Sequence, residues 1–293
     1  MRDDLGVRPG ELVALYLMNS LEMLAAYLAT WAIGAAPSMI NYNLSGKGLM
    51  HCLSIGGPRV IILDEDEGCQ ARIQEQRAEI EALGLKIQLL DRMQKGHIGY
   101  CSAERPGDEW RNGVKDDDAT MMLFTSGTTG FPKACKYHVS RVWATTGGRA
   151  TLIGGERGPN ATRMYDPMPY YHGTGWTVTV MCLTSGMAVC VGRKFSATQF
   201  WTDVRDSRAT AFVYVGETAR YLLAQPPTPR DKDHNLKFMF GNGLRPDVWE
   251  KFQERFGVER VSEFFNSTEG VLALANYNNR GMFLLLQYNI GPP

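Results

Sequence analysis

Short apolar runs recur along this chain, each followed by an amphipathic or charged stretch, and that alternation restricts the fold to a layered α/β architecture. Residues 59–63 and Lys86–Leu90 read as strands on either side of a charged helix whose apolar face is Ile73, Ile80 and Leu83. Met121-Met122-Leu123-Phe124 is a further short strand. A strand around Met164 precedes a helix from about Gly175, and Ala188–Val191 precedes a helix over 198–205. Ala211–Val215 precedes a helix over 218–223, residues 236–240 precede a helix over Pro246–Phe256, and 261–265 closes the series. Strands that are apolar throughout fit burial on both faces, so the pattern predicts two mainly parallel sheets with helices on both faces. The polar segment 154–160 marks the expected boundary. It gives a first α/β subdomain over 1–160, a second over 161–275 and a divergent tail over 276–293.

Two stretches fit the alternation less simply. Residues 23–46 carry no charge and are long enough to span a bilayer, but Gly34, Pro37, Asn41 and Asn43 interrupt them. Leu21, Leu24, Leu28 and Trp31 fall at helical spacing, Asn19 and Glu22 form a capping box, and Gly34 supplies a stop. The reading is a buried helix of about four turns followed by a strand over 38–41. Residues 93–117 are polar and read as irregular, ending in the solvated turn Asp116-Asp117-Asp118.

Acidic and basic residues balance at 31 each, which leaves no bulk electrostatic case for a nucleic-acid partner or an anionic membrane. The six cysteines contain no C-x-x-C pair and read as reduced thiols of an intracellular protein. The charged start Met1-Arg2-Asp3-Asp4 is no secretory signal, and the five histidines lack metal-ligand spacing.

Four segments could carry chemistry. The first is Thr125-Ser126-Gly127-Thr128-Thr129-Gly130-Phe131-Pro132-Lys133, running directly from a strand. Its glycines let successive amides turn inward around an anion, its hydroxyls add donors, and Lys133 adds a point charge. It is no Walker A loop, because Pro132 precedes the lysine. The second is Gly241-Asn242-Gly243 between a strand and a helix. A dinucleotide fingerprint would need a third glycine where Pro246 stands, so this turn suits either close approach to a flat ligand or an ordinary tight connection. The third is Phe264-Phe265-Asn266-Ser267-Thr268-Glu269. The carboxylate of Glu269 could hold Mg²⁺ beside phosphates or simply cap a turn. The fourth is Pro169-Tyr170-Tyr171-His172-Gly173-Thr174-Gly175, whose aromatic and histidine residues suit a pocket wall or plain packing. No G-x-S-x-G elbow is present, so serine-hydrolase chemistry has no nucleophile.

In order, these segments resemble the core motifs of the adenylate-forming (AMP-binding) superfamily of acyl-CoA synthetases and luciferases. Three further segments are similar to its fatty-acid transport protein and very-long-chain acyl-CoA synthetase branch. They are Lys194-Phe195-Ser196-Ala197-Thr198-Gln199-Phe200-Trp201, then Gly216-Glu217 with Arg220-Tyr221-Leu222-Leu223 and Gln225-Pro226, then Gly241-Asn242-Gly243-Leu244-Arg245-Pro246. The resemblance covers residues 6–277.

It implies the large N-terminal domain of an acyl-CoA synthetase, and a reaction in which ATP activates a fatty acid or related carboxylate to an acyl-adenylate that coenzyme A then intercepts. Thr125, Ser126, Gly127, Thr128, Thr129, Gly130 and Lys133 would cradle the phosphates, and Gly241, Asn242 and Gly243 would flank adenine. Thr268 would touch the α-phosphate, Glu269 would coordinate Mg²⁺, and His172 would sit near the acyl carboxylate. Lys133, His172 and Glu269 are the expected catalytic residues. The family also implies a cytoplasmic site or peripheral association with an internal membrane (ER or peroxisome). Two departures stand out. Phe265-Asn266-Ser267 replaces the family's Tyr-Gly, and the chain is short at both ends, without the family's small C-terminal domain. The expectation is therefore an impaired ligase, with a non-catalytic nucleotide- or acyl-binding remnant as the alternative.

Overall fold

Every residue of the strand Val60–Asp64 is buried, as a strand covered on both faces requires. A computed structural model describes residues 1–125, 130–147, 153–265, 267–268, 274–276 and 285–286. The described chain falls into two compact units, 1–142 with 170–172 and 143–169 with 173–293.

The first unit is built on six strands, β1 (Leu12–Tyr16), β2 (Ala36–Met39), β3 (Val60–Asp64), β4 (Lys86–Leu90), β5 (Ala119–Thr125) and β6 (Lys133–His138). Their order across the sheet is β4-β3-β1-β2-β5-β6. All neighbours are parallel except β5 and β6, which form an antiparallel pair. The helices are α1 (Arg2–Leu5), α2 (Leu21–Ala32), α3 (Gly46–Gly56), α4 (Glu67–Glu75), α5 (Arg77–Ala82) and α6 (Arg92–Tyr100), and α7 (Val139–Thr146) carries the division between the units. Ala14, Tyr16, Ile61 and Leu63 meet Leu49, Leu53, Cys69, Ile73 and Ile80 in one cluster, so α3, α4 and α5 cover one sheet face.

The second unit alternates β7 (Arg163–Asp166), α8 (Gly173–Thr184), β8 (Ala188–Val191), α9 (Phe200–Asp206), β9 (Ala211–Val215), α10 (Gly216–Leu223), β10 (Phe238–Asn242), α11 (Pro246–Phe256) and β11 (Arg260–Phe265). Two short strands, β12 (Leu274–Asn276) and β13 (Leu285–Leu286), extend the sheet antiparallel, in the order β13-β12-β11-β10-β9-β7-β8. Phe212, Tyr214 and Met239 face α9, α10 and α11, while Ala211, Val213, Phe238 and Phe240 face α8. Both faces of this sheet are thus covered. Phe252 and Phe256 are wholly buried. Truncating either to alanine costs about 3–5 kcal/mol.

Several local expectations need correction, the buried face of α2 among them: it is Met23, Ala26, Tyr27 and Thr30, while Leu21 and Leu28 are exposed. The α2 N-cap is Ser20, whose Oγ accepts the Met23 N–H at 3.0 Å, not Asn19. Asn19 is buried and its Oδ1 accepts the Tyr170 N–H at 2.9 Å, a long-range use that competes with local capping. The charged helix after β3 is two helices that meet at Gln76, and Leu83 is 46% exposed, so it is no part of a buried face. Residues 92–100 form α6, capped by the Asp91 carboxylate on the Gln94 N–H. It buries none of its side chains, which is why no apolar period marks it. The strand after the glycine loop, β6, is half exposed and equally unmarked. Gly34 does terminate α2. Its φ is +69°, and a Cβ there would lie 2.2 Å from the Trp110 carbonyl oxygen. No described helix is long and apolar enough to cross a membrane.

Candidate functional site

The glycine loop closes the β5–β6 pair. Thr125 ends β5, Lys133 begins β6, and the two are register partners. Gly130 and Lys133 are exposed. Ser126, Gly127, Thr128 and Thr129 lie outside the described residues. The two ends of the loop are therefore paired across the β5–β6 ladder, and its one formal charge stands in solvent.

His172 belongs to the same unit as the loop. The two residues before it are fixed by the first sheet's surroundings. Tyr170 is buried and donates its N–H to Asn19, and Tyr171 makes an edge contact with Tyr42 at 5.3 Å between ring centroids. Tyr171 and Phe124, the residue before the loop, pack against the same core cluster. Burial raises the Tyr171 pKa, opposed by a hydrogen bond to Asn43. His172 keeps solvent access while desolvation lowers its pKa. Those two facts pull in opposite senses, and exposure limits the shift. Its direction favours the neutral imidazole at neutral pH.

Gly241-Asn242-Gly243 lies in the second unit, and the first two of these residues are the last of β10. Gly241 sits between Tyr214 of β9 and Glu263 of β11 in one cross-strand row. A Cβ at 241 would lie 2.0 Å from the Tyr214 carbonyl oxygen and 2.8 Å from its ring. The bare glycine lets Tyr214 and the Glu263 carboxyl approach each other across it. Glu263 Oε1 accepts the Leu244 N–H at 2.6 Å, pinning the residue after the turn. Burial raises the pKa of Glu263 and of Tyr214. Gly243 has φ +77°, and a Cβ on Gly216 would lie 1.9 Å from the Gly243 carbonyl oxygen. Two strand-to-helix turns thus pack backbone on backbone. Thr174, near the start of α8, lies 3.3 Å from Asn242 Oδ1 through its hydroxyl.

Thr268 is half-buried in a turn of the same unit; Asn266 and Glu269 lie outside the described residues. Thr125, Lys133 and His172 are therefore in the first unit, and Gly241, Asn242, Gly243 and Thr268 in the second. Asn19, Tyr214, Gly216 and Glu263 support these segments, although no motif in the sequence marks them for that role. The one signal for Glu263 is a charged residue inside an apolar strand.

The chain matches the AMP-binding enzyme family over residues 1–293 and belongs to it. It is 37% identical over 280 residues to isopenicillin N epimerase component 1 of Hapsidospora chrysogena, covering 96% of this chain and 41% of that protein. It is 37% identical over 279 residues to the medium/long-chain-fatty-acid–CoA ligase FadD6 of Mycobacterium tuberculosis, covering 94% and 45%. Long-chain fatty acid transport protein 2 of Rattus norvegicus is 32% identical, with 94% and 45% covered. The chain thus spans less than half the length of these curated relatives. In fold it is similar to the N-terminal domain of FACL13 from Mycobacterium tuberculosis, with TM-score 0.75 at 19% identity over 92% of this chain and 67% of that one. It is also similar to ATP-bound MatB from Rhodopseudomonas palustris, with TM-score 0.77 at 20% identity over 96% and 54%.

Proposed function

We propose that this chain carries the adenylating site of a fatty-acid-type acyl ligase. The observation that supports it most is the glycine loop between Thr125 and Lys133, hung from a β-hairpin in a chain of the AMP-binding enzyme family. Relatives named as fatty-acid ligases and transport proteins support a long- or very-long-chain carboxylate as substrate.

In this reading a carboxylate oxygen attacks the α-phosphorus of ATP. The bond from that phosphorus to the bridging oxygen breaks, and pyrophosphate leaves with the electron pair. The amides and hydroxyls of Thr125, Ser126, Gly127, Thr128, Thr129 and Gly130 hold the phosphates, and Lys133 balances charge on the departing group. Gly241, Asn242 and Gly243 flank adenine, where the Tyr214–Gly241–Glu263 row keeps the turn in place. Thr268 contacts the α-phosphate, and neutral His172 lies beside the acyl carboxylate. The thiolate of coenzyme A then attacks the acyl carbonyl and AMP leaves. Among the described residues no three His, Cys, Asp or Glu cluster as a metal cage. The donor set that Mg²⁺ needs here is different: one carboxylate, Glu269, plus phosphate oxygens. Bound there, the ion would neutralise phosphate charge. Peripheral association with an internal membrane belongs to the same proposal, and retention on carbonate-sensitive membrane fractions tests it.

The principal test is ATP–pyrophosphate exchange dependent on a long-chain acid. Exchange that Glu269→Ala abolishes is the expected result, and exchange indifferent to that change sinks the assignment. ATP binding by calorimetry with no acyl-AMP formed would instead favour a nucleotide-binding protein without turnover.

A further inference from the structure

The glycine loop leaves through Phe131 and Pro132 before Lys133 enters the β5–β6 ladder. Pro132 has no N–H to give to a neighbouring strand, and Phe131 is 53% exposed. This two-residue arm has a different anchor. His51, in the middle of α3, lies with Nε2 3.0 Å from the Pro132 carbonyl oxygen. A carbonyl only accepts, so Nε2 carries the hydrogen and donates it. The same imidazole is stacked on the Phe131 ring, with 4.8 Å between centroids and 21° between planes. One side chain thus fixes both the backbone and the side chain of the arm. α3 is itself anchored, with Leu49, Cys52, Leu53 and Gly56 buried.

We infer that His51 is a positioning residue for the phosphate loop: it sets the path by which Phe131 and Pro132 lead out of the loop, and so where Lys133 enters β6. The inference rests on the proposed function for its ligand. The brace itself can be read without one. An arm held in advance lowers the ordering cost of binding, so the effect should fall on ATP binding and leave the second substrate alone. A lost hydrogen bond and ring contact together correspond to about a five- to tenfold change in affinity.

Three variants test this. His51→Ala removes donor and ring, His51→Gln keeps a donor of similar reach without the ring, and Phe131→Leu keeps the hydrogen bond without the stack. Hydrogen exchange followed on the peptide covering 125–138, in the ligand-free protein, should accelerate in His51→Ala and less in the other two, while peptides from β3 and β9 stay as in wild type. ATP affinity by calorimetry should fall about five- to tenfold in His51→Ala and recover in part in His51→Gln. In the exchange assay the KM for ATP should rise by the same factor with the KM for the acid unchanged. Unchanged hydrogen exchange at 125–138 in His51→Ala overturns the brace whatever the enzyme does. Exchange that accelerates everywhere, with both KM values rising together, shows a merely structural histidine and overturns it equally. A wild-type protein that binds no ATP defeats the proposed function, and the peptide measurement still decides whether His51 holds the arm.

Discussion

At the scale of single residues, the two glycines of Gly241-Asn242-Gly243 differ in what they require. Gly241 is required by packing, since a Cβ there would overlap the Tyr214 carbonyl oxygen at 2.0 Å, in a row closed on the other side by Glu263. Gly243 is required by its backbone, with φ +77°, and a Cβ added to it would meet no heavy atom nearer than 3.9 Å. Gly241→Ala must therefore move a β-strand, costing about 2–4 kcal/mol, whereas Gly243→Ala costs only the left-handed penalty of about 1–2 kcal/mol. Thermal unfolding should place Gly241→Ala lowest, about 5–15 °C below wild type, with Gly243→Ala between the two. Equal losses would mean the strand row tolerates a methyl group. The sequence could supply the Gly-x-Gly spacing but not this distinction. The partners of Gly241 come from β9 and β11, 27 and 22 positions away in register. The packing alone demands a glycine at 241, so that glycine is by itself no argument for a ligand.

At the scale of elements, α11 shows how a connection is locked. Arg255, in its last turn, donates from Nε to Asp231 at 2.7 Å and from its two terminal nitrogens to the carbonyl oxygens of Leu223, Gln225 and Pro226. His234 completes the lock. The Leu236 N–H donates to its Nδ1 at 3.2 Å, so Nε2 holds the hydrogen and donates to the Phe256 carbonyl at 3.0 Å, with the ring stacked on Trp201. Arg255→Lys keeps the charge but loses the planar fork, and should cost about 2 kcal/mol, seen as a Tm lower by about 4–8 °C. A Tm within about 1 °C of wild type would show the loop to be held by other means. Protonating His234 would put a hydrogen on Nδ1 against the Leu236 N–H. Its pKa is lowered, first by desolvation and then by the charge of Arg205. A depressed folded value means stability that is complete above the unfolded value of about 6.5 and is lost as pH falls from there through the folded value. His172 shifts in the same sense. The contribution of these two histidines should therefore decline on acidification below about pH 6.5, opposite in sign to that of the raised carboxyl of Glu263, and His234→Gln should lose less Tm than wild type over that acid step. An identical loss in the variant would rule His234 out as a contributor. The same element shows what sequence carries well. Proline at its first position and Gly257, with φ +72° after its last, fix both ends, and Val248, Trp249, Phe252 and Phe256 mark its buried face. α6 has a cap but no buried face, and β6 is half exposed, so neither leaves an apolar period to read.

At the scale of the whole molecule, two sheets with separate cores each carry part of the family's motif set, the loop and His172 in one unit and the glycine turn and Thr268 in the other. Strand-by-strand alternation makes both sheets readable, because burial on two faces writes itself into composition. The side chains that support the motifs are not readable, because Asn19 with Tyr170 and Glu263 with Leu244 are pairings across the fold that no local pattern encodes. Lys133 offers the sharpest separation of function from folding. It is exposed at the first position of an edge strand, and its backbone, not its side chain, makes the ladder contact with Thr125. Lys133→Ala should leave Tm within about 1 °C of wild type, since an exposed side chain away from packing contributes little. If its ammonium balances charge on departing pyrophosphate, the same change should lower acid-dependent ATP–pyrophosphate exchange by about 10²-fold, the usual cost of losing one transition-state contact. Lys133→Arg, with the charge kept on a longer and planar group, should fall between the two. Loss of exchange together with a lowered Tm would instead assign Lys133 to the hairpin's stability. Full exchange in Lys133→Ala would remove the lysine from the phosphate site while leaving the loop amides in place.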